Sequence, residues 1–283
     1  MNILYIFNYN KDEDAIITKE IIAYLKEKEI NIYFDDAKYA DRFGGKLIDD
    51  FSDINLTLIL GGDGTILTYA KKHGKHRVPV LGINLGRVGA LTTATITNYK
   101  ELIDKYLTGQ YFIRNNLTLK CQIVNNENIP EYEFDVYNDI TLHRGLPNLF
   151  PFYIELNQTR VDKIYADGVI VATPSGSSAY NFSAGGPLLS HGSNCYVITP
   201  ICPQSRVFSS LVVSNEEIVT IKLQDAIEEV YLSVDGCERY PINKNYSIVI
   251  MKSEQCLPLV NFKQQTSPYD AVHKVMNANS RRD

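Results

Sequence analysis

The sequence predicts an α/β N-terminal domain with a parallel sheet, followed by a mostly antiparallel β C-terminal domain, and three observations carry that expectation. Before about residue 95, compact apolar runs alternate with stretches whose apolar residues recur at helical spacing, the pattern of strands joined by helical crossovers. One run, Leu56-Thr57-Leu58-Ile59-Leu60, stops at Gly61-Gly62-Asp63-Gly64-Thr65 and resumes as Ile66-Leu67-Thr68-Tyr69-Ala70, which reads as strand, tight turn, helix. From Tyr111 the character changes to short alternating runs between turn residues, as in an antiparallel sheet. At 283 residues and 45% apolar content, the chain can bury two ordinary cores. We place the boundary near Thr95, giving an α/β domain over residues 1–95 and a β-rich domain over residues 96–283, with a C-terminal tail that packs back on the first.

In order, residues 3–7 form a compact strand run, and Ile16, Ile17, Ile21, Ile22 and Leu25 mark a helix behind it. Residues 30–34, 56–60 and 78–83 supply three more strands, with a helix over 65–72 between the last two. Leu102, Ile103 and Tyr106 line one side of a short amphipathic helix over 98–107. The β part then offers strands at 117–124, 136–142, 153–156, 164–173, 212–223 and 246–251.

Chemistry is expected first at Gly61-Gly62-Asp63-Gly64-Thr65, because ligands of parallel sheets bind beyond the carboxyl ends of the strands. Glycines admit positive φ and let backbone N–H groups approach a bulky anion, and the helix start adds its positive dipole end. Asp63 repels a phosphate, so it has a second purpose. Either it caps the helix together with Thr65, or it takes a proton from a hydroxyl while the glycines hold the group being transferred. The turn alone decides neither.

Three further stretches carry possible chemistry. Val80-Leu81-Gly82-Ile83-Asn84-Leu85-Gly86 is a strand end with glycines around Asn84, by itself an ordinary turn. Asn138-Asp139 is a polar pair inside a strand-like run, by itself a solvent-facing or turn pair. The block from Asp167 to Pro187 follows a strand with small, hydroxyl-bearing and glycine residues. Such residues suit sugar and phosphate oxygens, and equally suit tight sheet packing.

Composition narrows the alternatives. A net charge of -5 and no run of basic residues give no basis for nucleic-acid binding. Cys121, Cys195, Cys202, Cys237 and Cys256 are scattered without metal spacing and read as reduced core residues. His73, His76, His143, His191 and His273 fit no metal motif and read as surface or loop residues. Neither a Gly-x-Ser-x-Gly elbow nor a Walker A loop is present. The first apolar run is too short for a signal peptide or membrane span, so a cytoplasmic protein without membrane association is expected.

Gly61-Gly62-Asp63-Gly64-Thr65, the Val80 to Gly86 stretch, and Thr173-Pro174-Ser175-Gly176-Ser177-Ser178-Ala179-Tyr180 with Ser183-Ala184-Gly185-Gly186-Pro187 together resemble the NAD kinase family. The resemblance implies that Asn138 bonds the adenine of NAD and Asp139 a ribose hydroxyl. It implies that Asp167 bonds the nicotinamide amide or its neighbourhood, and that Ser178, Ala179, Tyr180 and Ser183 line the NAD pocket. Thr199-Pro200-Ile201-Cys202-Pro203 and Val234-Asp235-Gly236 are further family landmarks. Departures are Ala90 for an aromatic, Asp139 for the usual Glu, Ser178 for Thr, Tyr165 for Arg with Lys163 as a substitute, and Ser209-Ser210 for Arg-Pro. Residues 269–275 are only faintly similar to the family's closing helix.

The reading is therefore an ATP-dependent NAD kinase. Asp63 is expected as general base, the backbone of Gly61, Gly62, Gly64 and Thr65 with Mg²⁺ as the holder of the donor phosphates, Asn84 as a further binding residue, and the β domain as the NAD-binding part. The active site is expected between the domains, no protein metal ligands are assigned, and a homodimer or homotetramer follows from the resemblance. A lipid or sphingoid-base kinase shares only the glycine-aspartate turn. A non-catalytic NAD or NADP sensor draws support from Ala90, Tyr165 and Asp139.

Overall fold

The computed structural model describes residues 1–86, 89–145, 149–205, 209–224, 230–237 and 239–262. Two compact units emerge among the described residues: Met1–Asn115 together with those from Cys256 to Phe262, and Asn116–Gln255.

The first unit runs β1 (Asn2–Phe7), α1 (Ile16–Glu27), β2 (Asn31–Phe34), α2 (Ala37–Phe43), β3 (Lys46–Leu47), β4 (Leu56–Gly61), α3 (Asp63–His73), β5 (Val80–Asn84), β6 (Ala94–Thr95) and α4 (Tyr99–Leu107). Parallel pairing orders its strands β5-β4-β1-β2-β3, with β6 also beside β5. Every residue of β4 and β5 is buried, which explains why they read as unbroken apolar runs rather than alternating ones. Helix α1 turns Ile21, Ile22 and Leu25 inward, and the Asp12 carboxylate accepts from the Ile17 and Thr18 N–H groups at its start. The helix over Asn98 to Leu107 belongs here too. Tyr99, Leu102, Ile103 and Tyr106 of α4 join the core around Tyr5, Phe34 and Leu58, and the unit extends to Asn115. Helix α2 and strand β3 had no clear periodic signal in the sequence.

The second unit contains β7 (Phe112–Asn125, whose first residues precede the boundary), β8 (Pro130–Val136), β9 (Asp139–Arg144), β10 (Phe150–Leu156), β11 (Thr159–Ala166), β12 (Gly168–Ala172) and the short α5 (Tyr180–Ser183). It continues with β13 (Cys195–Ile201), β14 (Leu211–Ser214), β15 (Val219–Leu223), β16 (Val230–Val234), β17 (Arg239–Ile242) and β18 (Tyr246–Asn261). One antiparallel sheet has the order β14-β13-β12-β9-β16-β17. The other joins β11-β10-β15-β18, with β7 and β8 continuing beyond β18. Side chains of both sheets, including Leu119, Leu142, Phe152, Val171 and Ile221, form one core. Strand β18 gives its first residues to this unit and the rest, from Cys256, to the first, where Leu259 pairs with Val80 of β5.

Two runs that read as single strands are corners between sheets. The chain leaves β8 at Val136, turns at Tyr137 and Asn138, and enters the other sheet as β9. Likewise β11 ends at Ala166 and β12 begins at Gly168 in the other sheet, with Asp167 at the bend. Gly168 is required there, since a Cβ would overlap the carbonyl oxygen of Leu142 on the neighbouring strand. The run over 212–223 also divides, between β14 and β15. Residues 263–283, with the stretch 269–275 compared above to a closing helix, lie outside the described residues.

Candidate active site

At the carboxyl end of β4, the chain turns directly into α3, which starts at Asp63 rather than Thr65. Neither Asp63 nor Thr65 caps the helix: Gly62 occupies the N-cap position and no side-chain cap bond forms. The Asp63 carboxylate instead accepts from the backbone N–H groups of Ala90 (2.7 Å) and Leu91 (3.1 Å). A Cβ on Gly89 would overlap that carboxylate. Each carboxylate oxygen keeps a second lone-pair direction, so the anchored group still has acceptor capacity. Ala90 contributes through its backbone, which any residue supplies.

The glycines act differently from the expectation. None of Gly61, Gly62 and Gly64 has positive φ. Gly61 is needed because a Cβ would come within 2.7 Å of Thr65 Cβ, and Thr65 Oγ1 is met by Asn8 Nδ2 at 3.3 Å. Gly64 is exposed, with nothing within 4 Å of a Cβ placed on it. Asn84, the last residue of β5, stands opposite Gly61 in register and is buried, its Oδ1 accepting from Gly86 N–H at 2.9 Å. A pocket of about 330 Å³ opens beside the turn, lined by Asn8, Asp35, Gly64, Thr65, Thr68, Lys72 and His73 among others. Asp35 accepts from His73 Nε2 (3.2 Å) and Lys72 Nζ (2.8 Å). The His73 bond, before the Lys72 one, holds the Asp35 carboxyl down at about 2. His73 is thus a partnered, mostly buried residue rather than a surface one.

In the second unit the corner between β8 and β9 borders a groove of about 920 Å³. Asn138, Asp139, Ala179 and Tyr180 line it, joined by Thr141, Arg144, Asp235 and Arg239. Thr173 fixes the carbonyl side of the corner: its N–H donates to Asn138 O (2.9 Å) and its Oγ1–H to Tyr137 O (2.8 Å). Gly176 packs so closely that a Cβ would overlap the Asn138 carbonyl. Asn181, fully buried, ties the following loop together, donating to Ser177 O and Pro187 O at 3.0 Å each and accepting from Thr199 Oγ1 at 2.6 Å.

Four of the expected NAD-contacting residues thus share one groove, and three others do not border it. Ser178 Oγ–H is turned to the Ser175 carbonyl at 3.3 Å, Ser183 is exposed on α5, and Asp167 pairs with Arg144 at 3.0 Å. Arg144 carried no signal in the sequence. Its pairing with Asp167 follows from the β9–β12 register, in which His143 faces Gly168. Lys163 lies over the Tyr165 ring, 4.7 Å from its centroid. All five cysteines are free, but only Cys121 is a core residue; Cys202 and Cys237 are exposed.

Burial, followed by the negative charge of Asp235, lifts the Asp139 carboxyl from its ordinary 3.8 to about 6, against a lowering bond from Thr141. Between those values the folded chain keeps a proton that the unfolded chain has lost. Stability from this group therefore falls as pH rises through the window, by roughly 3 kcal/mol in all. Asp139→Asn is expected to raise the denaturant midpoint at pH 8 relative to the parent and to leave it nearly unchanged at pH 4. Equal midpoint differences at both values would contradict the account.

Residues 3–111 match the ATP-NAD kinase N-terminal domain, and residues 137–262 the ATP-NAD kinase C-terminal domain. The NAD kinase of Thermoanaerobacter sp. (strain X514) is 31% identical over 261 residues, spanning 90% of this chain and 92% of that protein. The NAD kinase of Clostridium beijerinckii is 32% identical over 265 residues, spanning 92% and 90%. Among solved structures, an NAD kinase from Archaeoglobus fulgidus in complex with ATP superposes with a TM-score of 0.76 at 26% identity, over 98% of this chain and 99% of that one. Yeast NADH kinase complexed with NADH shares the fold, with a TM-score of 0.84 at 24% identity over 100% and 88%. With both domain matches in sequence order and relatives above 30% identity along nine-tenths of its length, the chain belongs to the ATP-NAD kinase family.

Proposed function

We propose that this chain transfers the γ-phosphoryl group of ATP to the 2′-hydroxyl of the adenosine ribose of NAD, giving NADP and ADP. The observation that carries the reading is the anchored carboxylate of Asp63 at the first position of α3, within a Gly61 to Thr65 turn at the carboxyl end of β4. In this reading Asp63 accepts the hydroxyl proton as the ribose oxygen attacks, the bond between the γ-phosphorus and the β–γ bridging oxygen breaks, and ADP leaves. In this reading the Gly62 and Gly64 N–H groups face the donor phosphates, while the Thr65 N–H is already bonded to the Gly62 carbonyl at 2.9 Å and Gly61 belongs to β4. The second unit receives NAD along the groove, with Asn138 toward the adenine, Asp139 toward a ribose hydroxyl and Tyr180 against a ring face. Ala179 lines the same groove, whereas Asp167, Ser178 and Ser183 do not border it and are left without a contact in this reading. The protein would work in the cytoplasm as a homodimer or homotetramer, as the family resemblance implies.

Among the described residues no group of three or more His, Cys, Asp and Glu is disposed to hold a metal ion. In this reading Mg²⁺ enters on the triphosphate and would supply charge neutralisation on the transferring group. EDTA is expected to abolish turnover and excess Mg²⁺ to restore it, with the melting temperature unchanged. Full activity in EDTA would remove the metal from the reading.

Gly64 offers a test of the donor cradle. Ala is a better helix former than Gly by up to about 1 kcal/mol, and the space at Gly64 is open. Gly64→Ala should fold at least as stably as the parent yet show a raised KM for ATP, because the added methyl meets the phosphate. An unchanged KM would place the phosphates elsewhere. The direct assay is purified protein with ATP, Mg²⁺ and NAD, read by an NADP-specific dehydrogenase, with diacylglycerol and sphingosine as alternative acceptors. Phosphorylation of a lipid but not NAD would overturn the proposal.

A further inference from the structure

We infer that Asp235 is a positioning residue for the acceptor, acting by holding the backbone of residues 137–139 so that the Asn138 and Asp139 side chains present to the groove. The inference rests on the acceptor reading of that groove given above.

Asp235 follows β16, 96 residues beyond Asp139, and its carboxylate gathers three consecutive backbone donors. Oδ2 accepts from Tyr137 N–H at 3.1 Å, while Oδ1 accepts from Asn138 N–H at 2.6 Å and Asp139 N–H at 3.1 Å. Its own N–H donates to the Asp139 carbonyl at 2.8 Å. With Thr173 bonded to the carbonyls of Tyr137 and Asn138, the corner is fixed on both its donor and its acceptor sides. A carboxylate suits three converging N–H groups because it offers two oxygens with about four lone-pair sites and a charge that strengthens each bond. An amide offers one oxygen and turns its NH₂ toward a donor.

The backbone supports the same reading. Asp235 adopts φ +49°, a left-handed conformation that costs any residue but glycine some strain. It is followed by Gly236 at φ +68°, so the chain already bends with glycine beside it. A strained aspartate kept where glycine would sit without strain points to its carboxylate as the reason. That carboxylate also lies beside Asp139 and raises its pKa, so its presence opposes the ionisation of a neighbour; the organisation of the corner is gained at that cost.

The test is steady-state kinetics on Asp235→Asn and Asp235→Gly. The asparagine variant keeps one oxygen acceptor for the corner and the glycine variant keeps the left-handed backbone without strain, and a thermal melt establishes that each is folded before its kinetics are read. Each is expected to raise the KM for NAD about tenfold or more, since misplacement of positioning groups by an ångström costs up to about 10²-fold, and to leave the KM for ATP within about twofold. A cycle against the Asn138→Ala/Asp139→Ala background separates positioning from a merely structural role: Asp235→Gly should add less than about threefold once both side chains are gone, because it acts through those two contacts. Unchanged NAD KM, an equal rise for ATP, or fully additive losses would overturn the inference. Parent protein that forms no NADP at all would instead overturn the kinase reading beneath it, so the two failures are distinct.

Discussion

Asp63→Asn is expected to lower kcat by about 10²- to 10⁴-fold, the usual loss when a general base is removed, in a protein that still folds. The asparagine carbonyl can keep one of the two bonds now made to Ala90 and Leu91, while its NH₂ faces the other N–H. That leaves one backbone donor unpaired, at about 1–3 kcal/mol, which a thermal melt will detect but which does not unfold a chain with two separate cores. Asp63→Glu restores the charge but carries it about one bond, roughly 1.5 Å, further out. Because misplacement of about 1 Å is enough to cost 10²-fold, Glu should recover stability more fully than rate. A fall in kcat of less than tenfold in folded Asp63→Asn would show that the carboxylate serves only to hold residues 90 and 91.

The second large effect is expected at Gly176. Its substitution by Ala places a methyl against the Asn138 backbone, within 2.8 Å of Asn138 Cα and overlapping its carbonyl. Those are main-chain atoms of a corner fixed by Thr173 and Asp235, so no side chain can swing aside. Destabilisation should reach the upper end of overpacking costs, about 3 kcal/mol, or roughly a 10 °C drop in melting temperature for a unit of this size. The KM for NAD should rise with it, since Asn138 must move. Calorimetry together with NAD titration checks both, and an unaltered melting temperature would mean that the corner yields freely.

How far the site could be read from sequence depended on the range of the contacts that build it. Strand β4 and its glycine turn were legible because a strand buried along its whole length, then glycines, then helical spacing are all local signals. The corners at Asn138 and Asp167 were not, because a chain can change sheets within one or two residues while its apolar pattern continues. Ser178 and Ser183 illustrate a further limit. Their places in the motif were clear, but the turn over 176–178 aims the Ser178 hydroxyl at a neighbouring carbonyl and α5 leaves Ser183 exposed, neither of which the motif announces. The hold of Asp63 by residues 90 and 91, and of residues 137–139 by Asp235, joins positions 27 to 98 residues apart. No spacing rule announces such pairs.

The path of β18 bears on how the protein is made. Residues 116–255 are uninterrupted, so they can collapse as soon as Gln255 has left the ribosome. The opening segment, synthesised earlier, lacks the neighbour that Leu259 provides for Val80 until the last part of the chain has emerged. The half translated first is therefore the half finished last, and during that interval an open strand edge awaits its partner. A chain truncated after Gln255 and released should bind holdase chaperones through its early portion, while the inserted portion resists protease.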